Sequence, residues 1–336
     1  MNVSLIIPVY KVEATIRRCL QSVADQRFDG SVECIIVDDA SPDGSMAIVD
    51  EFIAATPEAA SWKRLVHERN SGLSAARNSG MRIASGDYLL FLDSDDELPP
   101  CALSRLVELA RKYPGVDIVQ GNVELRPPSP GLDFDIRRHH FPEFTAEKAW
   151  IKRHMLTDIP VMAWNKLMRR QWVVANEFSF KEGILHEDEH WRYLIFDKVG
   201  SIAFCSDVTY IYYMVQGSIT HVARRDRSAM SMLGVYNEFF NKIDEPSHWL
   251  HVLRVLCGYT LDSQSLEAPE RFIPGFRSLA ERVFARKGMP ANVRMAYGYL
   301  LYQSHWRLMY LKLFHHTTYG ILRRLLRDFR SPLVGE

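Results

Sequence analysis

No run in the 336 residues approaches the 18 or so consecutive apolar side chains that span a bilayer, so no membrane-crossing helix is expected. The five cysteines (Cys19, Cys34, Cys101, Cys205, Cys257) are odd in number and contain no C-x-x-C. They read as reduced thiols, which suits the cytoplasm and excludes a disulfide scaffold. The opening stretch, MNVSLIIPVY, has no basic segment and carries Pro8 inside its apolar run, so it does not read as a signal peptide. Net charge is absent as well: 41 Lys and Arg balance 41 Asp and Glu, which argues against a nucleic-acid partner. Hydrophobic residues at 47% and charged residues at 24% exclude wholesale disorder, and no repeat or low-complexity tract is present. Two nucleotide signatures are missing. The first apolar run ends in Pro8-Val9-Tyr10-Lys11 with no G-x-G-x-x-G, and no G-x-x-x-x-G-K-[ST] occurs anywhere. Dinucleotide-dependent hydride transfer and P-loop hydrolysis both lose support.

What is present is polarised along the chain. Residues 1–125 carry 12 basic and 19 acidic side chains, residues 126–222 carry 12 of each, and residues 223–336 carry 17 and 10. The first segment alternates β-rich apolar runs (Val3–Val9, Val32–Val37, Leu65–His67, Tyr88–Leu92, Asp117–Val119) with helical patterns (Ala14–Ala24, Ser45–Ala55, Ser74–Ala84, Cys101–Lys112). Runs without polar alternation suit parallel strands buried on both faces, and the alternation predicts an α/β, doubly wound, mostly parallel sheet with helices on both faces. A Pro- and Gly-rich loop, Arg126–Asp133, follows; residues 144–222 mix helices with strands near Ser201–Phe204 and Val208–Tyr213. From 223 to about Arg330 the pattern is helical, so two regions are expected, 1–222 and 223–336.

Ligands of doubly wound sheets bind at the carboxyl ends of the strands. Acidic clusters stand there. The second strand runs into Asp38-Asp39-Ala40-Ser41-Pro42-Asp43-Gly44, and the fourth into Asp93-Ser94-Asp95-Asp96. Gathered carboxylates repel one another and need a cation, ligand donors or solvent. A hard divalent ion such as Mg²⁺ or Mn²⁺ would neutralise Asp93 and Asp95 and bridge to a diphosphate. Asp133-Phe134-Asp135, in the loop, reads as a turn.

Six ordered blocks across roughly residues 3–222 resemble the family 2 glycosyltransferases, whose fold is called GT-A: SLIIPVYKVE, IIVDDASPDGS, NSGLSAARNSG, GDYLLFLDSDD, AWNKLMRR and FSFKEGILHEDEHW. The resemblance implies roles residue by residue. Pro8, Val9 and Tyr10 would line a uracil pocket, and Asp39 would accept the imide hydrogen. Glu13, Gly72 and Arg77 would face the nucleotide, Arg77 offering its fork to phosphate or sugar hydroxyls. Asp93 and Ser94 would meet the ribose or donor sugar, Asp95 would hold the metal, and AWNKLMRR would lie on the acceptor side. His221, in QGSITHV, would touch the diphosphate or metal, and Lys11 stands where the family often has Asn.

His186-Glu187-Asp188-Glu189-His190 carries two readings. Taken literally it is H-E-x-x-H, the zinc metallopeptidase signature. Taken with the resemblance, Asp188 is the general base of an inverting displacement and Glu187 orients the acceptor. Two adjacent acids in the middle of the motif and the flanking Gly183 and Trp191 favour the second. The implied activity is metal-dependent transfer of a hexose or N-acetylhexosamine from a UDP-sugar to a hydroxyl of a glycan or lipid-linked glycan, in bacterial surface-polysaccharide assembly. A non-catalytic nucleotide-sugar-binding scaffold is the alternative from another class. Residues 299–330 interleave aromatics with Arg and Lys, the composition of a helix that lies on an anionic membrane, meets a second copy in a homodimer or packs on its own domain. A cytoplasmic chain, peripheral on the inner face of the plasma membrane, is the corresponding expectation.

Overall fold

The computed structural model describes residues 1–128, 134–214, 225–242, 252, 255 and 269–285. The chain divides into two compact units, Met1–Ala223 and Arg224–Glu336.

The first unit is built on one eight-stranded mixed sheet. Its strands are β1 (Asn2–Val9), β2 (Ser31–Asp38), β3 (Ser61–Val66), β4 (Tyr88–Phe91), β5 (Ile118–Arg126), β6 (Phe144–Thr145), β7 (Lys166–Arg169) and β8 (Ile202–Tyr213). Their spatial order is β3-β2-β1-β4-β7-β5-β8-β6. β3, β2, β1 and β4 pair parallel with one another, as does β5 with β8, whereas β7 is antiparallel to β4 and β5, and β6 is antiparallel to β8. The carboxyl ends of β1, β2, β4, β5 and β8 therefore share one edge, joined there by the start of β7.

The helices of this unit are α1 (Ile16–Ala24), α2 (Ser45–Ala55), α3 (Leu73–Ile83), α4 (Ala102–Lys112), α5 (Lys148–Met155), α6 (Arg170–Ala175) and α7 (Glu187–Ile195). Burial explains the expected lack of polar alternation. Val3, Leu5, Ile6 and Ile7 of β1 and Ile35, Ile36 and Val37 of β2 are all fully buried, so both sheet faces are covered there. α3 packs so tightly on β1 that a Cβ on Gly80 would stand 2.4 Å from the Ile6 side chain. β3, at the open edge, is only partly buried.

Two parts of the sheet differ from the sequence reading. β7 forms from KLMR, four residues flanked by charge, which gains its strand only by inserting between β4 and β5. The two runs expected at 201–204 and 208–213 are one strand, β8, whose pairing with β5 slips in register near Asn122.

In the second unit the described helices are α8 (Arg225–Phe239) and α9 (Pro269–Phe284). No helix among the described residues is long and apolar enough to cross a membrane. Residues 299–330, read as a membrane or dimer contact, lie outside the described residues.

Candidate active site

The D-S-D-D segment leaves β4 as a tight turn, with the Asp96 amide donating to the Asp93 carbonyl at 3.0 Å. α1 fixes this turn from one side. The Thr15 hydroxyl donates to the Ser94 carbonyl at 3.1 Å, the Arg18 guanidinium to the Asp95 carbonyl at 2.6 Å, and the Cys19 thiol to the Asp93 carbonyl at 3.7 Å. β8 fixes it from the other. The Tyr210 hydroxyl donates to Asp96 at 2.7 Å and accepts from the Asp93 amide at 3.2 Å, and the Tyr213 amide donates to Asp96 at 2.8 Å. The five donors from α1 and β8 are spent on backbone and on Asp96, and none of them reaches the Asp95 carboxylate. Burial, aided by the charge of Asp93, pushes Asp95 up to about 6; burial and the charges of Asp95 and Asp93 push Asp96 up to about 8.

Arg77, on α3, is the hub. It is 1% exposed, and its guanidinium reaches three carboxylates: Asp93 at 2.9 Å, Asp188 at 3.0 Å and Glu187 at 3.1 Å. Burial opposes its charge, but the carboxylates outweigh burial and hold it firmly protonated. Its fork is thus taken by protein acids instead of standing open to a nucleotide. The rings of Phe180 and Phe91 lie 5.2 and 5.7 Å from the same guanidinium. Asn78, next on α3, exchanges two hydrogen bonds with the backbone of Phe180, at 2.9 and 2.7 Å, and Phe180 stacks on Trp191 of α7 at 4.2 Å. A short α3 segment thereby joins the D-S-D-D turn to the start of α7.

α7 begins with His186 in the left-handed region (φ 59°) and carries Glu187, Asp188 and Glu189 in its first turn, where acids complement the helix dipole. Burial pushes Asp188 up to about 7, against the opposing pull of Arg77. Its Oδ1 meets Arg77, while Oδ2 accepts no hydrogen bond from a described residue. The zinc reading loses its geometry here. His186 sits outside the helix, so it and His190 do not stack as i and i+4 on one helical face, and no group of three or more His, Cys, Asp or Glu among the described residues could hold a metal.

The nucleotide-side residues fall at the ends of β1 and β2. Pro8 and Val9 are buried, whereas Tyr10 is 39% exposed and follows them at the strand end. Asp39 is 2% exposed and locks the loop before α3: it accepts from the Ser71 and Gly72 amides, both at 2.8 Å, and meets His67 Nδ1 at 2.7 Å. Gly72 caps α3 at φ 89°, a conformation open to glycine. Glu13 accepts from the Gly44 amide at 2.9 Å, tying the start of α1 to that of α2. Ser94 is 6% exposed inside its turn. His221 lies outside the described residues.

Two participants carried no clear sequence signal. Lys166, the first residue of β7, is 5% exposed and donates to the carbonyls of Pro160 and Met162; burial draws its ammonium down to about 7, with Asp188 pulling the other way. Its place in AWNKLMRR was the only hint. Tyr210, riveting Asp93 to Asp96, lies 114 residues beyond Asp96.

The chain is similar to known proteins in sequence and in fold. A sequence profile described as Glycosyl transferase family 2 matches residues 4–172. EpsH of Bacillus subtilis strain 168, named as a glycosyltransferase, is 30% identical over 220 residues, covering 65% of this chain and 62% of EpsH. The poly(ribitol-phosphate) beta-glucosyltransferase of Bacillus spizizenii is 27% identical over 226 residues, covering 66% of this chain and 34% of that protein. The chain thus spans less than two thirds of the length of either relative. Among solved structures, S. aureus TarS 1–349 in complex with UDP-GlcNAc superposes with a TM-score of 0.70 at 22% identity, covering 90% of this chain and 88% of that one. The fold is GT-A, and with half of its length matched by the family profile, the chain belongs to glycosyl transferase family 2.

Proposed function

We propose that the chain is an inverting, metal-dependent glycosyltransferase that moves a hexose or N-acetylhexosamine from a UDP-sugar to an acceptor hydroxyl. The observation that carries this reading is the convergence on Arg77 of Asp93 with Glu187 and Asp188, acids more than 90 residues apart in sequence. A UDP-sugar is supported by the UDP-GlcNAc bound to TarS.

Asp188 is the base in this reading. Its unengaged Oδ2 takes the proton of the acceptor hydroxyl as that oxygen attacks the anomeric carbon, and Arg77 on Oδ1 holds the carboxylate in place. Glu187 orients the acceptor side. Asp93 and Asp95 would hold a divalent ion, Mn²⁺ or Mg²⁺. The fit rests on Asp95, half-buried, with a raised pKa and no side-chain donor of its own, which is the state of a carboxylate short of positive charge. Two carboxylates suit an ion that keeps waters and accepts diphosphate oxygens. When bound, such an ion neutralises charge developing on the departing UDP. Tyr10, Pro8, Val9, Glu13, Asp39, Gly72 and Ser94 shape the nucleotide side, and His221, outside the described residues, would touch the diphosphate or metal.

The acceptor in this reading is a glycan or lipid-linked glycan of surface-polysaccharide assembly, reached from the cytoplasm at the inner membrane face. The polymer acceptor in the name of the Bacillus spizizenii relative supports it. The test is a donor screen on the full chain: UDP-glucose, UDP-galactose, UDP-GlcNAc and UDP-GalNAc, each with Mn²⁺ or Mg²⁺, read by UDP release. One donor should release UDP well above the rest. No release and no UDP binding from any donor would overturn the reading.

A further inference from the structure

Beside the D-S-D-D turn, on the side of the sheet away from Tyr10, stands an aromatic stack that the steps above leave unused. Tyr210 and Tyr212 are two apart on β8 and project to one face. Trp164, just before β7, lies parallel to both, with ring centroids 4.3 Å from Tyr210 and 5.5 Å from Tyr212. Phe134 meets Trp164 and Tyr212 edge-on at 6.2 and 6.3 Å.

The stack is graded from inside to outside. Tyr210 is fully buried with its hydroxyl spent on Asp93 and Asp96, Trp164 is 5% exposed, and Tyr212 and Phe134 are half-buried. The Tyr212 hydroxyl makes no hydrogen bond to a described residue. Its phenol is pushed up by burial and by the charges of Asp96, Asp95 and Asp93, so it stands in the field of the same turn. Tyr213, the next residue, is by contrast covered by the Arg18 guanidinium 3.7 Å from its ring. A stack serving only the core would end on apolar side chains. This one ends on two half-buried rings and on a hydroxyl that makes no hydrogen bond to a described residue, next to the acidic turn.

A pyranose ring matches that surface: its C–H face lies on an aromatic ring and its hydroxyls need polar partners at the rim. We propose that Tyr212 and Phe134, backed by Trp164, form the platform on which a sugar ring of the glycan acceptor stacks. The proposal rests on the glycosyltransferase reading and names where its acceptor sits. It commits the platform to the acceptor and not to uracil, because the nucleotide-side residues Tyr10 and Asp39 lie at β1 and β2, across β4 from β7 and β8.

The test uses the full chain and three probes: methyl β-D-glucopyranoside, methyl β-D-galactopyranoside and methyl N-acetyl-β-D-glucosaminide. Saturation-transfer NMR should show transfer to the ring C–H protons of at least one of them. Tyr212→Leu and Phe134→Leu should each cut that signal about fivefold, the worth of one aromatic stacking contact. Tyr212→Phe, which keeps the ring, should retain it, and UDP affinity by calorimetry should be unchanged in all three variants. No transfer to any glycoside, equal transfer in the Leu variants, or a parallel fall in UDP affinity would overturn the platform. A wild-type chain that binds glycosides through these rings but binds no UDP would overturn the donor reading and uphold the platform.

Discussion

The two edges of the sheet bury carboxylates in opposite electrostatic states. At the amino-terminal edge, Glu33 of β2 receives hydrogen bonds from Ser4, from Lys63 and from both the amide and hydroxyl of Ser85, the last two at 2.8 and 2.7 Å. Burial alone would raise its pKa, but these donors prevail and hold it down to about 2. At the carboxyl edge, Asp95, Asp96 and Asp188 have too few donors for their burial and stand at about 6, 8 and 7. The first edge is closed, each lone pair matched by the protein. The second holds more negative charge than Arg77 and Lys166 neutralise, and its surplus is available to a ligand, a cation or a proton. The difference lies in both terms: Glu33 gathers more donors, and Asp95, Asp96 and Asp188 are more strongly desolvated.

Four perturbations would break or sharpen this contrast. The largest effect is expected for Asp188→Asn, which removes the base and leaves the volume: turnover should fall about 10³-fold or more, with UDP affinity kept. In the wild type, turnover should rise with pH and pass half-maximum near about 7, because the base works only after losing its proton. A flat profile through that range would remove Asp188 from the role.

Arg77→Gln comes next. It leaves Asp93, Glu187 and Asp188 without their shared cation and should cost about 3 to 4 kcal/mol of stability in denaturant unfolding at pH 8. The loss should shrink at pH 5, where the acids can take up protons instead. A loss independent of pH would mean that packing against Phe180, not charge, is what Arg77 supplies.

Glu33→Gln probes the closed edge and should cost on the order of 2 kcal/mol at pH 7. Its folded pKa is depressed, so this stability is present above the ordinary 4.5 and fades as pH falls toward about 2. Wild type and variant should therefore converge in acid. The open edge has the reverse sign: its raised acids bind protons more tightly when folded, and their contribution weakens as pH rises from about 4 to about 8.

The smallest effect expected is from added Mn²⁺, about 1 kcal/mol of stabilisation at a concentration several times its dissociation constant, or a few degrees in Tm. It should appear at pH 8, fade at pH 5 where Asp95 is protonated, and vanish in Asp95→Asn. Equal shifts in variant and wild type would place the ion elsewhere.

Much of this architecture is legible in the chain. The apolar runs ending at Val9 and Val37 and the helices Ser45–Ala55 and Cys101–Lys112 follow from local pattern, since burial on both faces removes polar alternation. The motif acids Asp39, Asp93, Asp95 and Asp188 are legible because they directly follow apolar strands or sit in a distinctive block. β7 was not legible: KLMR has no strand pattern of its own and pairs only because β4 and β5 leave a gap for it. Nor was the lock on Asp39, whose donors come from the loop 32 and 33 residues later.

By itself the sequence determined the strand–helix alternation, the acidic character of one sheet edge and the family to which the motifs point, because each of these is written in local spacing and residue type. Only the tertiary structure decided what those acids meet. Arg77 reads from sequence as a fork for phosphate, and the fold spends it on Asp93, Glu187 and Asp188; Asp96 reads as one more acid, and the fold buries it under Tyr210. The protonation and availability of a carboxylate depend on burial and on donors from distant segments, and neither quantity exists until the chain has folded.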